Sequence, residues 1–89
     1  MKYLIQGGEP AARLQKIIGM TGITSEVIKS ALEDHYIKGM DLEIAAANNG
    51  ADKSNLKRAM VRVEHVAKAI EEIKELDWIK FGYKFEGVA

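Results

Sequence analysis

Residues 41–60 read DLEIAAANNGADKSNLKRAM, and this stretch decides how the chain folds. Its first part is typical of a short helix over about residues 42–48, with Asp41 as the cap. Asn49-Gly50 then indicates a turn, because both residues tolerate the left-handed backbone conformation. Three residues at helical spacing face inward from the short helix: Leu42, Ala45 and Ala46.

A long helix is predicted after the turn, starting near Asp52 or Lys53 and running to about Asp77. Apolar residues step along it by 4, 3, 4 and 3 positions and form one continuous face: Leu56, Met60, Val63, Ala67 and Ile70. The short helix offers small residues where the long one crosses it: Ala45, Ala46 and Ala47. Together these features predict a helix-turn-helix over about residues 41–64.

Two more helices are predicted before this pair. One begins at Pro10 and runs to about Gly19. Its apolar residues recur at helical spacing: Leu14, Ile17 and Ile18. The other begins after Thr24 or Ser25, either of which can cap it, and stops before Gly39. Its inward residues are Ile28, Ala31, Leu32 and Tyr36.

Both ends of the chain are typical of extended structure. Residues Tyr3–Ile5 resemble a short strand. Beyond the long helix, apolar residues alternate with Lys or Gly from Ile79 to Phe85, which predicts a strand or an extended arm within residues 78–89. The arm would pair with the N-terminal strand of its own chain or of a neighbour, or reach DNA phosphates through Lys80 and Lys84. The predicted fold is a mainly α, small helical bundle with a helix-turn-helix, a long helix and short terminal strands.

The composition suits one small domain over residues 1–89. Hydrophobic residues make up 47% of the chain, enough for a core, and the balanced 29% of charged residues argues against a disordered tail. The absence of Cys excludes disulfides and thiolate metal sites and suits a reducing cytosol. No apolar run approaches the roughly 20 residues of a membrane-spanning helix, and no signal peptide is recognisable. We therefore expect a cytoplasmic protein.

Although the net charge is zero, the charges are unevenly distributed. Residues 53–68 hold five Lys or Arg against one Glu, a net charge of +4, whereas residues 26–43 and 71–77 each have a net charge of −3. Cations at the start of a helix oppose the helix dipole, so helix stability does not explain the basic segment. Its placement favours binding to an anionic partner over a merely solvated face.

The residues predicted to contact double-stranded DNA lie mainly on the first turns of the long helix. Lys and Arg there neutralise phosphates, while Asn and Arg can pair with base edges. Thr24-Ser25, at a helix N-terminus, can hold a backbone phosphate on free amides. The long helix contributes Lys53, Ser54, Asn55, Lys57, Arg58 and Arg62. Of these, Ser54 and Asn55 are expected to meet base edges first.

Residues 17–66 show a resemblance to a known family that requires no alignment gap. The residues that carry it are Ile17-Ile18-Gly19, Ile23, Ser25-Glu26, Ala31-Leu32-Glu33-Asp34, Tyr36, Gly39, Ala51, Leu56, Met60, Arg62 and Val63. In these positions the chain resembles the PapB-type fimbrial (adhesin biosynthesis) transcription regulators of enteric bacteria. The resemblance implies a small helical regulator that oligomerises on AT-rich DNA upstream of pilus genes, reading bases and minor-groove shape. The chain departs from the family at Leu42 and Ala46, where polar or basic residues are expected. Plasmid repressors of the TrfB/KorA type share the helix-turn-helix spacing and are an alternative.

Other candidate sites are weaker, and nothing in the sequence points to an enzyme. His35 and His65 lack partners at metal-ligand spacing and suit a helix surface or core edge, so we expect no metal and no cofactor. The members of Glu33-Asp34 and of Glu71-Glu72 diverge by about 100° on a helix, which favours solvated acidic faces over acid–base catalysis. Gly7-Gly8 lacks the further residues of a phosphate loop.

The apolar face of the long helix is longer than a compact bundle needs to bury. Its end would form the seam of a homodimer or higher homo-oligomer, or pack on the helix of residues 10–18 in the same chain. The seam residues would be Val66, Ile70, Ile73 and Trp78. The rival to DNA binding is a protein-interaction module, in which this face and the acidic segments bind a partner and the basic helix is incidental. No membrane or small-molecule substrate is expected as a partner.

Overall fold

The computed structural model describes residues 3–82, with side chains as far as residue 80, and this part of the chain forms four α-helices and no strand. The helices are α1 (Ala11–Thr21), α2 (Glu26–Tyr36), α3 (Leu42–Asn49) and α4 (Lys53–Asp77). α4 is about 37 Å long, and the three shorter helices all pack against it. The predicted mainly α fold is confirmed. Within residues 3–82 no helix is both long enough and apolar enough to span a membrane.

One core lies between α4 and the other three helices. The predicted apolar face of α4 is the centre of this core, since Leu56, Val63 and Ala67 have no exposed surface. Met60 and Ile70 on the same face are partly buried. Burying a large apolar side chain contributes about 1.5–3 kcal/mol, so this face holds the bundle together. The largest fully buried side chains are Leu14, Ile17, Leu32, Tyr36, Leu56 and Val63.

Side-chain caps define the starts of α2 and α4. The Ser25 hydroxyl accepts a hydrogen bond from the Ile28 N–H at 3.3 Å. The Asp52 carboxylate accepts one from the Asn55 N–H at 3.1 Å. Each bond satisfies one of the N–H groups that have no partner within the helix. The bounds predicted for α4 are therefore confirmed.

The other helix ends differ by a few residues from the predicted ones. Pro10 is the cap of α1 rather than its first residue, and α1 continues past Gly19 to Thr21, where Gly22 caps it with a φ of 78°. α2 stops at Tyr36, three residues before Gly39.

The predicted strand at Tyr3–Ile5 is wrong, because this segment is irregular. Leu4 is 3% exposed and belongs to the core. The Tyr3 N–H donates to Glu64 Oε2 of α4 at 2.7 Å. A strand needs a neighbouring strand to satisfy its backbone groups, and residues 3–82 contain none. The N-terminal segment instead uses a carboxylate and a core contact to bind the bundle.

Glu9 joins the N-terminal segment, α1 and α4. Its side chain is 5% exposed and forms a 2.6 Å salt bridge with Arg13. Arg13 also donates to Glu71 Oε1 at 3.0 Å. This chain of charges places α1 against the side of α4 that carries Glu71.

The predicted C-terminal arm is wrong for residues 78–82, which continue α4 as a single π-helical turn, Trp78–Gly82. The Trp78 N–H donates to the carbonyl oxygens of Lys74 and Glu75, so the hydrogen-bond ladder of α4 carries on past Asp77. A helix supplies its own backbone partners, whereas an isolated strand has none. The rest of the arm, residues 83–89, lies outside the described residues.

Asp34 corrects the expectation of a solvated acidic face, because it is only 6% exposed. It accepts hydrogen bonds from Asn48 Nδ2 at 3.0 Å and Asn49 Nδ2 at 2.8 Å, and it forms a 3.3 Å salt bridge with Lys38. The bond from Asn49 is the main reason that the pKa of Asp34 is lowered, followed by the bond from Asn48 and the contact with Lys38. Asp34 therefore fastens α2 to the end of α3.

The Tyr36 hydroxyl group and Oε1 of the neighbouring Glu64 are both buried, and neither has any further hydrogen-bond partner. Burial raises the pKa of Tyr36, and the negative charge of Glu64 and a hydrogen bond to its carboxylate raise it further. The tyrosine is consequently a neutral core residue whose hydroxyl group donates to Glu64.

Candidate nucleic-acid interface

α3 and α4 are joined by three residues, Gly50, Ala51 and Asp52. Gly50 caps α3 with a φ of 64°, and the Ala51 N–H donates to the Ala46 carbonyl at 2.8 Å. A left-handed glycine lets the chain reverse within this short link. The residues that hold the two helices together are Ala45, Ala46, Leu56 and Ala59, all buried. Ala47 is exposed, so its predicted place at the helix crossing is wrong.

All predicted DNA-contacting residues of α4 are exposed: Lys53, Ser54, Asn55, Lys57, Arg58 and Arg62. At about 100° per residue, Ser54 lies at the middle of the outward side, opposite the buried face. Arg58 and Arg62 lie to one side of it, and Lys53 and Lys57 lie to the other. These six residues form what we call the outward surface of α4, with cations on both sides of Ser54.

A groove of about 470 Å³ lies between the α1–α2 loop and α4. Arg58 donates to Asn55 Oδ1 within the groove, and Arg62 Nη2 donates to the Thr21 carbonyl oxygen at 3.0 Å. The groove unites the two parts of the predicted site, because Thr24 and Ser25 line it together with α4. Its lining residues are Gly22, Ile23, Thr24, Ser25, Ile28, Asn55, Arg58, Ala59 and Arg62.

The N-terminus of α2 lines this groove, and one of its N–H groups already has a side-chain partner. Ser25 already satisfies the Ile28 N–H, which leaves the other N–H groups of the first turn without a partner inside the helix. Glu26 adds a negative charge in the same turn, balanced by Lys29 at 3.5 Å. Free N–H groups attract an anion, and the neighbouring guanidinium groups of Arg58 and Arg62 strengthen that attraction.

The opposite flank of α4 has a different electrostatic character. Lys53 forms a salt bridge with Glu43 of α3. The hydrogen bond from Lys53 lowers the pKa of Glu43, and the charges of Lys53 and Lys57 lower it further. Asp41, the cap of α3, and Glu43 in its first turn line a groove of about 430 Å³ together with both lysines. This flank is consequently less positive than the flank of Arg58 and Arg62.

The outward surface extends beyond the predicted residues. Val61 and Lys68 follow Ser54 at seven-residue intervals, and His65 follows Arg58 in the same way, so all three lie on the outward side of α4. Each is exposed. Their seven-residue spacing from Ser54 and from Arg58 is the sequence pattern that could have identified them. They lengthen the candidate interface to about four helical turns.

Three of the predicted oligomerisation residues, Val66, Ile70 and Ile73, lie within about 60° of one another around α4, and Trp78 is turned away from them. Val66 and Ile70 are half-buried against the core, whereas Ile73 and Trp78 are 56% and 62% exposed. Ile73 and Trp78 are five residues apart, which separates them by about 140° around a helix. Leu76 is exposed and lies closer to the side of Ile73.

Among residues 3–82 no cluster of three or more acidic or histidine side chains is arranged to hold a metal ion. Comparison of the chain with known protein families, with curated proteins and with solved structures found no match. The exposed surface of α4 and the groove beside it are therefore the features that bear on function.

Proposed function

We propose that this protein is a sequence-specific, DNA-binding transcriptional regulator of the bacterial cytoplasm, and that it uses α3 and α4 as a helix-turn-helix. The observation that carries the proposal is a surface of cations that no carboxylate neutralises. Within residues 3–80, no salt bridge involves Lys57, Arg58, Arg62 or Lys68, although acidic residues are abundant elsewhere. Cations clustered on one helix without a carboxylate partner are suited to bind the phosphates of a nucleic acid.

The outward side of α4 would lie in the major groove, which is wide enough to admit an α-helix. Ser54 and Asn55 lie in the first turn of α4 and would meet base edges. Lys57 would contact a phosphate on one wall of the groove, and Arg58 and Arg62 would contact phosphates on the other. Lys53 would contribute less, because Glu43 already holds its ammonium group.

The groove between the α1–α2 loop and α4 would hold one DNA phosphate. Thr24 and Ser25 lie at a helix N-terminus, and Arg58 and Arg62 line the same groove. An anion placed there meets N–H groups on one side and guanidinium groups on the other. This contact would fix the register of α4 on the duplex without reading its sequence.

Fluorescence anisotropy with an AT-rich and a GC-rich duplex, over a salt series, tests the proposal. We expect tighter binding to the AT-rich duplex and a slope of several units in log K against log salt. Arg58→Ala should weaken binding to both duplexes and reduce the slope by about 1. Lys16→Ala removes an exposed cation from α1 and is the matched control. Absence of binding at about 50 mM salt, where non-specific affinity is strong, would overturn the proposal.

A second variant separates base reading from phosphate binding. Asn55→Ala should erode the preference for one sequence while leaving most of the non-specific affinity. An equal loss on every sequence would remove Asn55 from the reading role. The resemblance to PapB-type regulators makes a fimbrial operon promoter the first operator to test, and a KorA-like plasmid operator is the second.

The alternative is a helical protein-interaction module that does not bind DNA. It is favoured by large exposed apolar side chains at the end of α4, among them Ile73 and Leu76. Under this alternative, combined Lys57→Glu and Arg58→Glu substitutions would leave function intact, and Ile73→Asp, at a position that is 56% exposed, would abolish it. The DNA-binding proposal expects the charge reversals to abolish DNA binding.

A further inference from the structure

Asn55 and Arg58 form a polar pair on the first turns of α4. Arg58 Nη2 donates to Asn55 Oδ1, and the two residues are three positions apart, which makes them neighbours on the helix surface. The backbone beneath the pair is also held, because the Asn55 N–H donates to the Asp52 carboxylate at 3.1 Å. The side-chain carbonyl group of Asn55 is thus bound by a guanidinium group of its own helix.

This hydrogen bond makes the two ends of the Asn55 amide group unequal. A free asparagine side chain presents an acceptor, Oδ1, and a donor, Nδ2. Here Arg58 occupies Oδ1, whereas within residues 3–80 Nδ2 donates to no protein atom. The second lone pair of Oδ1 lies beside a positive charge, and that charge disfavours the approach of another amino group. Asn55 therefore faces a ligand mainly as a hydrogen-bond donor.

Arg58 keeps donors of its own for a phosphate. A guanidinium group has five N–H donors, and the bond to Asn55 leaves the others available. Arg62 lines the same groove but donates to the Thr21 carbonyl oxygen at 3.0 Å, so it contacts the α1–α2 loop instead of Asn55. Of these two similar cations, only Arg58 orients the amide group.

We infer that Asn55 reads a guanine in the major groove, with Arg58 as its positioning residue, an inference that rests on the proposed function. Guanine presents two acceptors there, N7 and O6, whereas adenine presents N7 beside an amino donor and cytosine presents a donor. Asparagine pairs with adenine through Oδ1 and Nδ2 together. The hydrogen bond from Arg58 removes Oδ1 from that pairing and leaves a donor that suits guanine.

The other polar residues of the first turn do not supply this selectivity. The Ser54 hydroxyl group both donates and accepts, so it can contact any base. The Lys53 ammonium group is held by Glu43. The choice between guanine and adenine therefore falls to Asn55. One guanine is compatible with a site that is AT-rich at its other positions.

Selection from a pool of duplexes, with a randomised central segment between AT-rich flanks, tests the inference. At one position we expect the wild type to prefer guanine over adenine by about tenfold, and Asn55→Ala should remove that preference. Arg58→Ala should weaken binding to the whole pool and, because it frees Oδ1, change the preferred base to adenine. Arg62→Ala is the matched control, since it removes a cation from the same groove and should weaken binding without changing the base.

Two results of the selection would overturn the inference. The first is an Asn55-dependent position at which the wild type prefers adenine. The second is a preference for guanine that persists in Arg58→Ala.

Modified bases locate the contact within the duplex. Replacing the selected guanine by 7-deazaguanine removes the N7 acceptor and should weaken binding by the wild type but not by Asn55→Ala. Inosine keeps N7 and O6 and lacks only the minor-groove amino group, so it should bind as guanine does. A loss with inosine and none with 7-deazaguanine would place the contact in the minor groove and contradict the inference.

Nuclear magnetic resonance without DNA tests the positioning contact itself. The side-chain amide signals of Asn55 should shift in Arg58→Ala and stay in place in Arg62→Ala, and unchanged signals in Arg58→Ala would refute the positioning role. A protein that binds no member of the pool at about 50 mM salt would refute the proposed function, and this inference with it. Binding to the pool without a preference for guanine would refute the inference alone.

Discussion

Asp34 of α2 and Asn49 of α3 are joined by a 2.8 Å hydrogen bond from Asn49 Nδ2 to Asp34 Oδ2. Asn49 is the last residue of α3, and its Nδ2 also donates to the Ala45 carbonyl oxygen at 2.8 Å. One amide group therefore closes the end of α3 and binds it to α2. The position of the α3–α4 turn, and with it the start of the candidate interface, depends on this contact.

Asp34→Ala should lower the free energy of unfolding by about 2–4 kcal/mol. The substitution leaves two amide groups and the Lys38 ammonium group without their buried acceptor. Urea unfolding at neutral pH measures the loss. Glu33→Ala is the matched control. It removes the carboxylate next to Asp34 in the sequence, and that carboxylate accepts only a long, exposed hydrogen bond of 3.4 Å from Gln15 Nε2. A loss of similar size in both variants would contradict the role of Asp34.

The stabilisation by Asp34 should also disappear in acid. Its pKa is lowered in the folded protein, chiefly by the hydrogen bond from Asn49. A lowered pKa means that the stabilisation is complete above the unfolded value of about 3.9 and is lost as the pH falls through the folded value. The difference in unfolding free energy between the wild type and Asp34→Asn should therefore be constant near neutrality and shrink below about pH 4. A constant difference down to strongly acidic pH would exclude this linkage.

Two glycines should respond in opposite ways to substitution by alanine. Gly50 has a φ of 64°, so Gly50→Ala should destabilise the protein by about 1 kcal/mol or more, although no atom would clash with the new methyl group. Gly19 lies inside α1 with free space around it, so Gly19→Ala should stabilise by about 0.5–1 kcal/mol. Thermal unfolding of both variants checks the pair. A gain at Gly50 would mean that the turn does not require left-handed backbone.

Glu43→Gln should strengthen DNA binding, if the proposed function holds. The substitution removes a negative charge beside the interface and releases Lys53 to contact a phosphate. The slope of log K against log salt should steepen by about 1. Glu75→Gln removes an exposed charge from the far end of α4 and serves as the control. Weaker binding in Glu43→Gln would show that the salt bridge positions Lys53 for contact.

Tyr36→Phe should lower the unfolding free energy by about 1–2 kcal/mol, because it removes the hydroxyl group that hydrogen-bonds the buried carboxylate of Glu64. Leu32→Ala, at a fully buried position on the same helix, should cost about 2–5 kcal/mol. Chemical denaturation of both variants gives the comparison. An unchanged stability in Tyr36→Phe would mean that the hydroxyl group makes no hydrogen bond to Glu64 in solution.

The helices were predictable from the sequence because their apolar spacing and caps agree. For α4, the cap at Asp52 and the change of apolar period after Asp77 give the same bounds, Lys53–Asp77, that the structure shows. The exposure of the cations on its first turns follows from the same periodicity. Helices carry this information locally, within a few residues of each position.

The contacts that the sequence did not reveal join distant segments. Asp34 was predicted to be solvated, because its partners Asn48 and Asn49 are 14 and 15 residues away. The strand predicted at Tyr3–Ile5 failed for a similar reason. Alternating or β-branched residues favour a strand only where another strand is available, and here Glu64 binds the segment instead.

The unbroken course of α4 has a consequence for how this protein tolerates change. Each residue inserted between Arg62 and Val66 would turn the outward surface by about 100° relative to Ile73 and Leu76, so one or two extra residues would point it away from its present side. Seven extra residues would restore the angle to within about 20° and lengthen the helix by about 10 Å. Only insertions close to a whole number of helical turns, such as about seven or about eleven residues, keep the two ends of α4 in their present alignment.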